Sequence, residues 1–71
     1  MTVVELVSVA SGSLLSRVTL GDDGTITYEG GPSARSAVMR QMRATGASET
    51  DAIRALRADG WSNGYAMVKR D

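Results

Sequence analysis

The spacing of apolar residues changes along this chain, and the main change separates a strand-like first part from a helical second part. Up to Glu29 apolar positions recur at every second residue, in short runs broken by Gly, Ser and Asp, which is the period of strands. From Pro32 to Trp61 they recur at every third or fourth residue, which is the period of amphipathic helices.

Three strands are predicted in the first part. Residues 3–10 are rich in β-branched side chains. Val3, Glu5, Val7 and Val9 share one face, and Val4, Leu6, Ser8 and Ala10 the other. Both faces carry apolar residues, so this strand is central or is covered by a partner. Ser11-Gly12-Ser13 is a turn. Residues 14–20 form the second strand, with Leu14, Ser16, Val18 and Leu20 on one side. Gly21-Asp22-Asp23-Gly24 is a hairpin signal, because Asp-Gly supplies the positive φ that a tight or bulged turn needs. Residues 25–29 form the third strand, with Ile26 and Tyr28 inward and Thr25, Thr27 and Glu29 outward.

Two helices follow. Gly31-Pro32-Ser33 starts the first, over 32–44: proline is tolerated in the first turn, and Gly or Ser can cap. Ala34, Ala37, Val38, Gln41 and Met42 form its stripe, while Arg35, Arg40 and Arg43 fall on another face. Thr45-Gly46 ends it through a left-handed glycine cap. Ser48 caps the second helix, over 48–59, with Asp51 three residues on as a short-armed capping box. Glu49 and Asp51 also meet the positive end of its dipole. Ala52, Ile53 and Leu56 are its buried stripe, Arg54 and Arg57 point away, and Gly60 stops it. The tail over 64–70 alternates and reads as a short fourth strand. The competing reading is a third helix capped by Ser62, which Gly64 in its first turn weakens by roughly 1 kcal/mol relative to Ala. The expected fold is α+β: one domain with a small antiparallel sheet of three or four strands and two helices packed on one face.

Size and composition limit what this fold can do. A domain near 60 residues buries only about 60% of its unfolded surface, and this chain has 71 residues. It has no Cys and no His, so disulfides, thiolate or imidazole metal sites and the common nucleophilic triads are excluded. A partner subunit or larger assembly is therefore an expected source of added stability. Asp22-Asp23 falls well short of the 6–8 oxygens that calcium takes, and is read as a hairpin tip. Gly30-Gly31-Pro32-Ser33 lacks the spacing and lysine of a phosphate loop. No cofactor, no metal and no enzymatic activity are expected.

Charge is balanced overall but not along the chain. Residues 1–33 carry Glu5, Asp22, Asp23 and Glu29 against Arg17, while 34–71 carry seven cations against four acidic groups. The plain reading is two solvated faces; the functional one is head-to-tail packing or contact with a polyanion. The start lacks the basic segment of a signal peptide, and no run approaches the roughly 20 apolar residues of a membrane span. A soluble protein of a bacterial cytoplasm, or of a virion, is expected.

Trp61 is expected to plug the gap between the second helix and the sheet. Read functionally, Trp61 or Tyr65 anchors a protein partner, with Arg35, Arg40 and Arg43 at the rim. A second reading takes the helix pair as a helix-turn-helix, with Arg54 and Arg57 meeting DNA phosphates or base edges. Glu49 and Asp51, in the turn that would enter the groove, repel phosphate.

Two resemblances add to this. The run Gly60-Trp61-Ser62-Asn63-Gly64-Tyr65, after strands and two helices, resembles short proteins of actinobacteria and their phages. That likeness implies a small phage or prophage protein, a virion or capsid-associated component among the options. Within 38–58, Met42-Arg43-Ala44-Thr45-Gly46-Ala47-Ser48 and Asp51-Ala52-Ile53-Arg54-Ala55-Leu56 look like the first loop and second helix of ubiquitin-associated and elongation-factor N-terminal modules. That likeness covers under half the chain and implies a three-helix binder of ubiquitin-like proteins.

Overall fold

The alternating first part of the chain forms three consecutive antiparallel strands, β1 (Thr2–Ser8), β2 (Leu14–Leu20) and β3 (Ile26–Gly30), in a computed structural model that describes residues 1–70. Helices α1 (Ser33–Thr45) and α2 (Glu49–Asp59) follow, and β4 (Ala66–Val68) closes the chain. The sheet order is β3-β2-β1-β4. This is the expected α+β domain with four strands. β1 is a central strand, paired along both edges.

Both helices lie on one face of the sheet. Val4, Leu6, Val18, Leu20, Ala66 and Val68 point toward them. The helices answer with Ala34, Ala37 and Val38 from α1 and Ala52, Ile53 and Leu56 from α2. Small residues dominate the helical side, so the helices sit close to the strands. Ile53, Leu56 and Leu6 are the bulkiest side chains enclosed, each contributing about 1.5–3 kcal/mol by burial.

Several sequence expectations shift. β1 stops at Ser8 rather than at residue 10, because Ser8 turns back through bonds from its own N–H to Ser13 O and from Gly12 N–H to Ser8 O, both 2.8 Å. β3 begins at Ile26, since the Thr25 carbonyl closes the hairpin by accepting from Gly21 N–H at 2.8 Å. Leu14 does not share the inner face of Ser16, Val18 and Leu20. Leu6 pairs with Ser16 but Val7 pairs with Leu14, so Leu15 is an extra residue and a bulge turns Leu14 outward.

The helix ends obey local chemistry with one exception. Gly46 (φ 73°) donates its N–H to Met42 O, and Ser48 Oγ accepts from Asp51 N–H at 3.2 Å, as capping predicts. α1, however, starts at Pro32 without a side-chain cap of its own. Its cap comes from β2: buried Ser16 accepts from Ala34 N–H and is hydrogen-bonded to Ser33 Oγ.

The tail pairs as a strand, shorter than residues 64–70, and not as a third helix. Asn63 Oδ1 accepts from both Tyr65 N–H and Ala66 N–H at 2.9 Å, which fixes the turn that starts β4. Leu6, Val7 and Ser8 then pair with Val68, Met67 and Ala66.

Candidate partner-binding site

The helical period places Arg40, Arg43 and Ala44 on one side of α1, since residues three and four apart are neighbours on a helix surface. Gly60, at the end of α2, redirects the chain with φ 80° and brings Trp61 to the same place. Arg40, Gln41, Arg43, Ala44 and Trp61 together line an open concavity of about 620 Å³. Trp61 is half-buried there. Its side chain packs against the core, and its carbonyl accepts from Val68 N–H at 2.9 Å. Trp61 thus packs against the core, as expected of a plug, and also lines the concavity.

The electrostatics of this concavity are one-sided. Arg40 and Arg43 are exposed, and among the described residues neither has an ion-pair partner. The carbonyl end of α1 lies beside them, but two of its carbonyls are engaged: Gly46 N–H bonds to Met42 O and the Thr45 hydroxyl to Gln41 O, both 2.8 Å. Free positive charge next to an aromatic face suits an anionic group carried on an apolar or aromatic segment. Arg70, from the tail, places its guanidinium over Gly60, in the space a side chain there would take.

The remaining partner-binding candidates lie apart from this concavity. Arg35 stacks on Tyr28, its guanidinium carbon 4.2 Å from the ring centroid. The Tyr28 hydroxyl donates to Glu49 Oε2 at 2.7 Å, so the group ties β3, α1 and α2 together. Burial, then the bond to Glu49 and its charge, push the Tyr28 phenol up to about 12 against a smaller opposing pull from Arg35. Arg35 is thus a structural contact here. Tyr65 is 83% exposed in the turn before β4, and its carbonyl accepts from Val9 N–H at 2.8 Å.

The DNA-binding candidates sit on α2. Arg54 pairs with Asp51 at 3.5 Å, an exposed contact of small energetic weight. Arg57 lines a separate depression with Val3, Glu5 and Lys69. Neither lines the concavity beside Trp61.

Gln41 and Ala44 are site-lining residues that sequence reasoning did not assign. Gln41 belongs to the helical stripe of α1 and is partly buried. The spacing of Arg40, Arg43 and Ala44 was the available signal. Among the described residues, no three His, Cys, Asp or Glu side chains converge as metal ligands, and no helix is long and apolar enough to cross a membrane. No protein family matches the chain, and neither the curated proteins nor the solved structures provide a match.

Proposed function

We propose that this protein is a non-catalytic interaction module that docks an acidic segment of a larger protein in the concavity of Trp61, Arg40 and Arg43. The observation that carries this reading is the pair of guanidiniums, without an ion-pair partner among the described residues, beside the partly exposed indole. Interface centres favour Trp and Arg because a rigid ring fills a pocket while a planar fork grips a carboxylate bidentately. The likeness of the Gly60–Tyr65 run to small phage and actinobacterial proteins supports an accessory or virion-associated setting, in the host cytoplasm or on the particle.

The chain has one tryptophan, so its fluorescence reports the site directly. The test is a titration with a synthetic peptide rich in Asp and Glu around a central Leu-Trp-free apolar anchor. Saturable change in Trp61 emission, weakened by salt and abolished in Arg40→Glu/Arg43→Glu, is the expected result. No saturable change at low salt, or equal binding by the double variant, overturns the proposal. A duplex-DNA band shift that depends on Arg54 and Arg57 would instead favour the helix-turn-helix alternative, through loss of counterion release in Arg54→Ala/Arg57→Ala.

A further inference from the structure

The helices cover one face of the sheet and leave the other open. On that open face the strands present their side chains in rows, because paired residues in antiparallel strands share a side. The middle row is charged. Glu5 pairs with Arg17, and Arg17 with Glu29. Lys69 completes the row beyond β4, its N–H donating to Glu5 O at 2.8 Å. Val68 and Leu6 face the core, so Lys69 and Glu5, each one residue along, face outward.

Read across β4, β1, β2 and β3, the row is positive, negative, positive, negative. Arg17 Nη2 and Glu5 Oε2 are 2.6 Å apart at its centre. Arg57, from α2, lines the same depression as Lys69 and adds positive charge at that end. Read backwards, the row changes sign at every position. A second copy turned about a two-fold axis that runs along the strands, midway between β1 and β2, therefore meets each charge with its opposite. Lys69 faces the partner subunit's Glu29, and Glu5 faces the partner subunit's Arg17.

The adjoining row is apolar and obeys the same operation. Met67 pairs with Val7, and Val7 with Leu14, while the bulge adds Leu15. Val7 is only 8% exposed although it lies outside the core cluster, whereas Leu14 and Leu15 are 53% and 39% exposed. At the β3 end of this row stands Gly31, whose N–H donates to Leu15 O at 3.1 Å. The two-fold sets Val7 over the partner's Leu14 and Leu15. It sets Met67, the long flexible side chain, over the partner's Gly31, which has none.

We infer that the open sheet face pairs with a second copy of this chain, as an isologous two-sheet sandwich whose register is set by the row Lys69–Glu5–Arg17–Glu29. Aligned sheets pack about 10 Å apart with a crossing near 30°, so the rows stay opposed at the centre. The apolar row supplies the desolvated contact. The charged row costs solvation but selects this one arrangement, since a shift by one strand sets like charges face to face. The surface is separate from the Trp61 concavity, which stays open in the pair.

The test uses the two outer members of the row, both exposed and outside the core. Sedimentation equilibrium of the wild-type chain should show a monomer–dimer equilibrium. Lys69→Glu alone and Glu29→Lys alone each oppose like charges in their own dimers and should weaken association about tenfold or more. An equimolar mixture of these two variants restores both opposite-charge contacts, and should recover wild-type association as a heterodimer. A wild-type chain that stays monomeric at millimolar concentration overturns the inference. So do variants that associate as the wild type does, or a mixture no stronger than its components.

Discussion

The side-chain oxygen of Ser16, on β2, accepts a hydrogen bond at 2.8 Å from the backbone N–H of Ala34, in the first turn of α1. A helix start leaves N–H groups without intrahelical partners, and its own preceding residue normally supplies the acceptor. Here that residue is Pro32, which cannot. A strand residue far back in sequence does so instead, so the cap also fixes α1 against the sheet.

Replacing Ser16 should therefore cost more than an ordinary cap. Ser16→Ala strands a buried N–H, and an expected loss of about 1–3 kcal/mol follows. Ser33→Ala keeps the bond from Ala34 N–H to Ser16 and should cost about 1 kcal/mol or less. Urea unfolding of both variants checks the order. Equal losses would mean that the Ser16–Ser33 hydroxyl contact, rather than the cap, carries the stabilisation.

The contrast between the two helix starts shows what the sequence could reveal. Ser48 caps α2 from the adjacent position, so its role is legible in a short window and Asp51 N–H does bond to it. Ser16 acts through the fold, and nothing near Pro32 points to it. The same distinction holds elsewhere. Alternation and glycines located β2 and the helix ends. The bulge that turns Leu14 outward arises from cross-strand register, which a single strand's pattern does not encode. In the candidate site, Arg40 and Arg43 were legible from helical spacing. Their meeting with Trp61, and the separation of Arg35 and Tyr65 from it, depend on how α1 and the tail pack.

Two glycines should respond differently to alanine. At Gly46 (φ 73°) an added Cβ meets open space, so Gly46→Ala carries only the left-handed backbone cost of about 1–2 kcal/mol. At Gly30 (φ 83°) the Cβ would lie 2.8 Å from Leu15 O and 3.1 Å from Ser16 Cα. Gly30→Ala adds a backbone clash beside the Ser16 cap, and an expected loss of about 2–4 kcal/mol. Thermal unfolding midpoints should fall in that order.

Core substitutions should be felt strongly, because few large side chains share the interior. Ile53 and Leu56 are fully buried. Ile53→Val should cost about 0.5–1.5 kcal/mol and Leu56→Ala about 2–5 kcal/mol. At the usual 0.05–0.15 kcal/mol per residue, a chain of 71 residues has about 4–11 kcal/mol in total. Leu56→Ala should thus remove a large share of that stability, seen as a much lower urea midpoint, while Ile53→Val lowers the midpoint only slightly.

Tyr28 links stability to alkaline pH, and the sign follows from its environment. Burial and the Glu49 carboxylate disfavour the phenolate, so the folded phenol titrates at about 12 against an ordinary value of 10.0. The folded state then holds its proton where the unfolded state has lost it. This contribution is complete below about 10 and is lost as pH rises through about 12. Tyr28→Phe should remove that part of the alkaline fall in stability. In a Tyr65→Phe background, tyrosinate absorbance reports Tyr28 alone and should give a midpoint near 12. Adding Glu49→Gln removes the carboxylate's charge and should bring that midpoint down. A midpoint unmoved by Glu49→Gln would mean that burial alone sets it and that the 2.7 Å bond between β3 and α2 does not persist in solution.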